Sequence, residues 1–246
     1  MKYRIDFHCH SVASDGGLTI PELADLAYKT GLDALVVTDH CSPFCSYHQN
    51  VSVLSTLKAI GHSLKVPVIL GAEIGTPYGE FLLFGSKAIK NWYCYKNKLK
   101  MVRDEFTMEI YWEMFWLNVL HGDGKSCWGG GIDKDGKAYN NREIGCELPY
   151  AMIMPHPTAS AEFIERCPQR MFDCIHGFEV NNSGIDFEAN HQETFEALRK
   201  RIKHPRELKN SDCHMKELGI VSNEVELPDN KPLSEGALIK WLRNKK

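Results

Sequence analysis

The chain has 246 residues, with 29 lysines and arginines against 32 aspartates and glutamates, which gives a formal net charge of −3 at pH 7. Its composition, 43% hydrophobic and 25% charged, is typical of a folded globular protein rather than a disordered one. The weakly acidic balance argues against a dedicated nucleic-acid binder. No apolar run reaches membrane-spanning length, and Asp6 stands where a signal peptide needs its apolar core. We therefore expect a cytoplasmic protein with no contact with a membrane.

The nine cysteines are scattered along the chain, and no two of them form a Cys-x-x-Cys pair. The two closest, Cys41 and Cys45, stand four residues apart. An odd number of cysteines without a secretory leader is not typical of a disulfide scaffold. We expect the cysteines to be reduced and to serve mostly as packing residues.

Short apolar runs predict seven strands. In chain order these runs span residues 3–7, 34–38, 67–71, 81–84, 150–154, 177–180 and 224–227. A first helix is predicted after Thr19, because Glu22 follows at capping-box spacing and Pro21 lies in the first turn. Amphipathic patterns predict further helices over 51–64, 98–117, 191–203 and 234–243. The alternation of strands and helices predicts an α/β fold with parallel strands.

One stretch interrupts this alternation. Residues 86–148 contain four of the five tryptophans and a glycine-rich segment at 122–136. We interpret the stretch as an insertion into a single domain that spans 1–246. It is predicted to hold an aromatic-rich helix followed by a turn-rich loop or hairpin. This pattern is equally compatible with a lid, a wall of the substrate site or an interface.

Histidines and carboxylates follow the predicted strands. His8 and His10 alternate with Phe7 and Cys9, so the two imidazoles are expected on one face of the first strand and Phe7 and Cys9 on the other. Such a pair of imidazoles can bind one metal ion. Similar polar residues follow the later apolar runs, namely Asp39-His40, Glu73, His156 and Asn181, and Asp212-Cys213-His214 again sets an acid and a histidine two residues apart near the C-terminus. In a β/α barrel the carboxyl ends of the strands meet at one mouth. Each residue alone suits an ordinary turn, but the set together predicts a metal site.

Taken in order, these segments resemble the motifs of the PHP (polymerase and histidinol phosphatase) family. The motifs are His8-x-His10 with Ser14-Asp15-Gly16, Thr38-Asp39-His40, Gly71-Ala72-Glu73, Pro155-His156-Pro157, Glu179-Val180-Asn181 and Ser211-Asp212-Cys213-His214. The resemblance runs from residue 3 to about 228 and is interrupted by the insertion. It implies a distorted (β/α)7 TIM-like barrel, two or three divalent metal ions, and hydrolysis of phosphoesters.

The resemblance also implies which residues hold the metals. Motif by motif, these are His8, His10, Glu73 and Asp212 for the first ion, Glu73 and His156 for the second, and Asp15, His40 and His214 for the third. Family members usually carry one more histidine after the bridging glutamate. Glu80 is the best candidate at that place, although an exposed residue at a strand start would look the same. Such ligands accept Mn, Zn, Fe or Mg.

The implied chemistry is hydrolysis by a hydroxide that bridges two metals. The substrate is expected to be a phosphomonoester of a small phosphorylated metabolite or nucleotide. Asp39, His40 and His214 are the candidate catalytic residues, with Asp39 or His214 assisting proton transfer. Candidates for holding the substrate are Asn181, Arg142, Arg170 and Lys216, each of the charged ones being equally a solvated surface residue.

Three other functions suit the same motifs. A nuclease acting on nucleic-acid ends would use the same metals, although the chain lacks a basic stripe. Barrels with a His-x-His pair also support hydrolysis of C–N or C–O bonds. A non-catalytic metal-binding PHP module is the fourth alternative. The oligomeric state is not predicted.

Overall fold

We analysed the protein as a computed structural model. The structure describes residues 1–41, 63–76, 79–89, 92, 130–132, 138–140, 149–156, 164–165, 167, 169–183, 185–186, 191–228 and 232–244. The helices predicted over 51–64 and 98–117 therefore lie almost entirely outside the described residues. Most of the predicted insertion does so too.

The described strands and helices follow in this order. The strands are β1 (Lys2–Cys9), β2 (Ala34–Val37), β3 (Val68–Thr76), β4 (Gly79–Phe84), β5 (Gly130–Ile132), β6 (Ala138–Asn140), β7 (Ala151–Met154), β8 (Gly177–Asn182), β9 (Ile185–Asp186), β10 (Arg206–Asn210) and β11 (Asn223–Glu226). The helices are α1 (Ile20–Lys29), α2 (Gln169–Phe172), α3 (Gln192–Arg201) and α4 (Glu235–Arg243).

Nine strands form one mixed sheet, and eight of them curl into a nearly closed barrel in the order β10-β8-β7-β4-β3-β2-β1-β11. The short β9 pairs with β8 outside this order. The predicted α/β barrel is thereby confirmed. Two strands depart from the parallel direction: β4 is antiparallel to β3 and β7, and β11 is antiparallel to β1. Only two residues separate β3 from β4, which is enough for a hairpin but too short for a parallel crossover.

The barrel closes along a seam between β1 and β10. Cys9 and Cys213 form a parallel bridge there, in which the His10 N–H donates to the Cys213 carbonyl at 2.9 Å. Deeper in the seam, the Phe7 N–H donates to Asn210 Oδ1 at 3.1 Å. A side-chain amide thus takes the place of a main-chain acceptor where the two strands no longer pair.

A β-bulge between Asp6 and Cys9 interrupts the regular alternation of side chains along β1. Asp6 pairs with Leu35 and Cys9 with Val37, so β1 uses one residue more than β2 over the same span. Phe7 packs 5.9 Å from the rings of Phe84 and Trp241, whereas Cys9 packs in the other hydrophobic cluster. The expectation that Phe7 and Cys9 share one face is therefore wrong, because the extra residue breaks the alternation.

The predicted capping signal is present at the start of α1, and a side-chain cap is also present at the start of α4. The Glu22 carboxylate accepts from the Thr19 N–H at 2.8 Å at the start of α1. Ser234 caps α4 by accepting from the Ala237 N–H at 3.3 Å. No helix in the described part of the chain is long and apolar enough to cross a membrane.

Helix α4 covers the end of the barrel where β10 begins. The Arg206 guanidinium donates to the Trp241 carbonyl at 3.1 Å, and the Ser86 N–H, just after β4, donates to Glu235 at 3.1 Å. Because β4 runs antiparallel, both contacts lie at the same end. The histidines and carboxylates predicted to bind metal lie at the other end of the barrel, where β1, β8 and β10 finish.

The sequence pattern does not predict β10, although β10 carries Asn210 to the mouth. Of the five residues in Arg206–Asn210 only Leu208 is apolar, so no apolar run marks the strand. Within the predicted insertion, the described β5 and β6 form an antiparallel pair, as a hairpin would. The assignment of 86–148 as an insertion stays a prediction.

Candidate metal centre

The structure brings the nine predicted metal-binding side chains together at the mouth of the barrel. Four overlapping groups, whose possible ligand atoms lie within 4.8 Å of one another, comprise His10-Asp15-His40-His214, His8-His10-Glu73, His8-His156-Asp212 and His40-Glu73-Glu80. Each of the nine residues belongs to at least one group. Parts of the chain that are far apart in sequence meet here because the strands that carry them are neighbours in the sheet.

The two histidines of β1 form the deepest group. His8 and His10 are completely buried, and their Nε2 atoms lie 3.1 Å apart. Asp212 Oδ1 lies 3.1 Å from His8 Nε2 and 3.2 Å from His10 Nε2. Three donor atoms thus converge on one point, the arrangement expected around a cation.

Glu73 lies at the centre of the cluster, on β3, where it forms an isolated parallel bridge with His40 just beyond the β2–β3 register. Its Oε2 atom is 3.4 Å from His8 Nε2, 3.2 Å from His10 Nε2 and 3.2 Å from His40 Nδ1. Its Oε1 atom instead faces His156 Nε2 at 3.2 Å. One carboxylate therefore presents its two oxygens to different sets of imidazoles.

A third group lies nearer the solvent. Asp15 Oδ2 is 3.3 Å from His40 Nε2 and 3.3 Å from His214 Nε2. Asp15 Oδ1 is 3.4 Å from His10 Nδ1, so His10 borders this group as well. The carboxylate comes from the turn after β1, and the two imidazoles come from the loops after β2 and β10.

Glu80, in the place of the usual histidine, is close to the cluster but looser. Its carboxylate oxygens lie 3.9 Å from His40 Nδ1 and 3.9 Å from His156 Nε2, and its side chain is 41% exposed. Partial burial and the charge of Glu73 raise its pKa above the ordinary value. A cation bound nearby would offset the negative charge of Glu73 that helps to raise the pKa of Glu80.

The charges in the cluster depend on one another. Burial opposes ionisation of Glu73, but the positive charge of His8 and the neighbouring imidazoles of His10 and His156 outweigh it and lower the Glu73 pKa well below the ordinary value. Burial likewise opposes protonation of His10, but the neighbouring carboxylates of Asp212 and Glu73 raise its pKa to about 9. In the absence of a cation, protonated histidines supply the positive charge that the carboxylates require.

Two buried carboxylate oxygens lack protein partners among the described residues. Within the described residues, Glu73 Oε1 and Asp212 Oδ1 are buried and have no hydrogen-bond partner, although imidazole nitrogens lie 3.2 Å and 3.1 Å away. Buried carboxylate oxygens are normally satisfied, and a shared cation would satisfy both. The donor set of imidazoles and carboxylates suits Zn, Mn or Fe, and with more oxygens also Mg. The residues present therefore fit a metal cluster.

The sequence profile of the PHP domain family matches residues 6–124. This segment includes His8, His10, Asp15, His40, Glu73 and Glu80. The chain carries a PHP domain. The resemblance drawn from the ordered motifs is confirmed.

Comparison with a curated protein shows similarity to the 5'-3' exoribonuclease of Haemophilus influenzae, at 32% identity over 76 residues. The match covers 31% of this chain and 25% of that enzyme. The PHP domain described here thus matches only about a quarter of the exoribonuclease's length.

Two solved structures are similar to the PHP domain. An amidohydrolase from Chromobacterium violaceum, with bound sulfate and no metal, superposes with a TM-score of 0.50 at 16% identity, over 92% of each chain. A two-domain protein from Bacteroides vulgatus, which contains a predicted PHP-like metal-dependent phosphoesterase, gives a TM-score of 0.48 at 20% identity, over 88% of this chain and 53% of that one. The amidohydrolase shows the shared fold.

Hydrogen bonds orient two of the imidazoles in the PHP domain. His214 Nδ1 lies 2.9 Å from the Asp212 carbonyl, which only accepts, so Nδ1 carries the hydrogen and Nε2 is directed at Asp15. His10 Nδ1 lies 3.4 Å from Ser14 Oγ. Ser14 Oγ itself donates to Asp39 Oδ1 at 2.7 Å, which leaves its lone pairs for His10.

Asp39 lies behind the cluster rather than within it. The buried carboxylate accepts from the Ser11 N–H at 2.7 Å, the Ser11 hydroxyl at 2.8 Å and the Ser14 hydroxyl at 2.7 Å. It belongs to none of the possible metal-binding groups among the described residues. These contacts favour a role in holding the loop that follows β1 over the predicted role in proton transfer.

The predicted substrate-binding residues are less well placed. Asn181, at the end of β8, is half-buried, and its Oδ1 is buried without a partner among the described residues. Lys216 is exposed two residues after His214. Arg170 lies in α2, but its side chain is outside the described parts, and Arg142 lies outside them altogether.

Two buried carboxylates next to the cluster had no role predicted from the sequence. Glu179 Oε1 lies 2.9 Å from His8 Nδ1. Asp6 accepts from the His8 N–H at 3.1 Å and from the Ser211 N–H at 3.2 Å, and burial raises its pKa to about 6. In the sequence, both Asp6 and Glu179 are charged residues inside an apolar run, and this pattern could have indicated that each carboxylate is buried next to the site.

Proposed function

We propose that this PHP domain is a metal-dependent phosphoesterase that hydrolyses the phosphomonoester of a small phosphorylated metabolite or nucleotide. The observation that carries the proposal is the position of Glu73. Its Oε1 faces His156 while its Oε2 faces His8, His10 and His40, all within 3.4 Å. A carboxylate held this way is suited to bridging two cations, as phosphoester hydrolysis by paired metals requires.

In this proposal the nine clustered residues hold two or three divalent ions. The first ion is held by His8, His10, Glu73 and Asp212, the second by Glu73, His156 and Glu80, and the third by Asp15, His40 and His214. The possible metal-binding groups overlap with this division only in part, because they also join His10 to the third set, His8 and Asp212 to His156, and His40 to Glu73 and Glu80. The metal is Mn, Zn, Fe or Mg.

The charge of the cluster explains why the metals are needed. Asp15, Glu73, Glu80 and Asp212 are four carboxylates at one mouth, and alone they repel a phosphate. Divalent cations, when bound, attract the phosphate oxygens and ionise a water near neutral pH. The protein's own part is to hold the ligands with buried hydrogen bonds, so that the site is ordered before the substrate arrives.

In this proposal the substrate lies next to His214 and Asn181. The side chain of His214 is 38% exposed, the most open imidazole of the cluster. Because its Nδ1–H is donated to the Asp212 carbonyl, its Nε2 suits a metal better than it suits proton donation. Asn181, half-buried at the end of β8, is proposed to contact a phosphate or a leaving-group hydroxyl.

The test is phosphate release from a panel of phosphomonoesters and nucleotides. The protein is stripped of metal, reconstituted with Mn²⁺, and compared with the stripped protein and with Asp212→Asn. The proposal expects metal-dependent release that the variant loses. A fully loaded protein that releases phosphate from no compound, or an Asp212→Asn protein with full metal content and full rate, would contradict it.

A second candidate is a nuclease that acts on nucleic-acid ends, and the similarity to the exoribonuclease over 76 residues is the observation that favours it. The net charge of −3 counts against tight binding of a polyanion. End-labelled single-stranded RNA distinguishes the two. Stepwise loss of terminal nucleotides, with affinity that falls steeply with salt, would favour the nuclease.

A further inference from the structure

Glu179 is a carboxylate that lies beneath the metal centre and outside it. Its side chain is completely buried on β8. Oε1 receives the Asn210 Nδ2–H at 2.7 Å and lies 2.9 Å from His8 Nδ1, while Oε2 receives the Asn182 Nδ2–H at 3.2 Å. Both oxygens thus act as acceptors of side-chain N–H groups.

This arrangement decides which nitrogen of His8 carries the hydrogen. An acceptor at 2.9 Å from Nδ1 requires an Nδ1–H. The lone pair of neutral His8 is then on Nε2, the atom that lies 3.1 Å from Asp212 Oδ1 and 3.4 Å from Glu73 Oε2. The opposite tautomer would place hydrogen where the ligand atoms converge.

Glu179 is itself prevented from turning away. Asn210 Oδ1 accepts from the Phe7 N–H at 3.1 Å and from Asn223 Nδ2 at 2.9 Å, so the Asn210 amide cannot flip without losing both bonds. Asn182 Nδ2 contacts Asp212 Oδ2 at 3.2 Å as well as Glu179. The hydrogen bonds that close the barrel seam therefore continue through Glu179 to His8.

We infer that Glu179 is a positioning residue that locks the His8 imidazole with Nδ1 protonated and Nε2 turned towards the metal. The inference rests on the metal centre of the proposed function. A carboxylate behind a ligating histidine fixes its orientation and strengthens it as a ligand. Glu179 touches no substrate in this scheme, and it acts only through His8.

The first test uses the wild-type protein loaded with Zn²⁺. Two-bond ¹⁵N–¹H correlation spectra of ¹⁵N-histidine-labelled protein report which ring nitrogen carries the hydrogen. With His8 assigned through its backbone, we expect a protonated Nδ1 and a metal-bound Nε2. A metal-bound Nδ1 would overturn the inference. Because no variant is involved, this result does not depend on a mutant folding.

The second test compares Glu179→Gln with a control variant, Glu207→Gln. The control removes a carboxylate on β10 that pairs with Arg199 on the surface. The readouts are the dissociation constants for Mn²⁺ and Zn²⁺ by calorimetry and the melting temperature of the metal-free protein. We expect Glu179→Gln to weaken metal binding by about 10- to 100-fold, the usual effect of removing such a partner, and the control to leave it unchanged. Glu179→Leu, which offers no acceptor, is expected to weaken binding further than Glu179→Gln does.

The outcomes separate the two proposals. Equal affinity for metal in the wild type and in Glu179→Gln would overturn the role of Glu179 alone, as would a lowered melting temperature with unchanged affinity. Failure of the wild type to bind Mn²⁺ or Zn²⁺ would overturn the proposed function and this inference together.

Discussion

Glu73 and His156 face each other across the mouth of the barrel, with Glu73 Oε1 3.2 Å from His156 Nε2. The other oxygen of Glu73 faces the two histidines of β1 and His40. His156 reaches this position with a left-handed backbone, at φ 57°, and Asp212 does so at φ 50°. Such conformations are uncommon outside glycine and gather at functional sites.

Replacement of the central carboxylate tests the bridging role. Glu73→Gln keeps the shape of the side chain but removes the charge shared by the two sets of imidazoles. We expect loss of at least one bound metal and a fall in kcat/KM of about a thousandfold, equivalent to roughly 4 kcal/mol of transition-state stabilisation. Metal content by mass spectrometry and phosphate release measure the two effects. Glu224→Gln, at an exposed pair with Lys2, is the control, and a Glu73→Gln protein with full metal content would contradict the bridge.

Glu80 is expected to influence which metal is preferred. Oxygen ligands suit Mn and Mg, whereas an imidazole suits Zn. Glu80→His is therefore expected to shift the ratio of Zn²⁺ to Mn²⁺ affinity towards Zn²⁺ by about tenfold. Glu80→Gln, a weaker ligand, should lower both affinities without this shift. Competition titrations would show an unchanged ratio in both variants if Glu80 were only an exposed residue of β4.

Asp39 offers a way to separate positioning from proton transfer. Asn has one acceptor oxygen where Asp39 uses two, so Asp39→Asn loses at least one of the bonds to Ser11 and Ser14. We expect metal affinity to fall about tenfold, as for other residues behind a ligand, and activity to return at saturating Mn²⁺. A rate that stays low with the metal site full would instead support the proton-transfer role.

His176 makes folding sensitive to acid. Burial and the charge of Arg243 lower its pKa to about 4, and its Nδ1 accepts from the Met152 N–H at 3.2 Å. The unfolded chain has a histidine pKa of about 6.5, so between these values the unfolded state binds more protons. Stability is therefore lost as the pH falls through this window, by about 2 kcal/mol at pH 5.

The measurement is the free energy of unfolding of the metal-free protein at pH 7.5 and pH 5.0. His176→Asn keeps an acceptor near Nδ1 but cannot be protonated, so its stability should fall less than that of the wild type over this range. His204→Asn replaces an exposed histidine at φ 54°, which asparagine tolerates, and should behave like the wild type. An identical fall in all three proteins would rule out His176 as the source.

Several parts of the fold were predictable because they depend on local patterns. The capping signal of Thr19 and Glu22 and the apolar runs of β1, β2 and β7 determine local structure with little help from the rest of the chain. The direction of β4 was also available, since the apolar runs at 67–71 and 81–84 are too close in sequence for a parallel crossover. The strand β10 was not, because Leu208 is its single apolar residue and its stability comes from pairing with β8.

The sequence by itself determined the PHP resemblance and the nine candidate ligands, because residue types and their order can be read directly along the chain. Only the tertiary structure decided which of these residues contact one another and which neighbouring residues hold them. A bulge moves Phe7 away from the face of Cys9, Asp39 turns its acceptors to Ser11 and Ser14, and Glu179 reaches His8 from a strand 171 positions away. Such contacts depend on register and barrel closure, which arise from packing between distant segments.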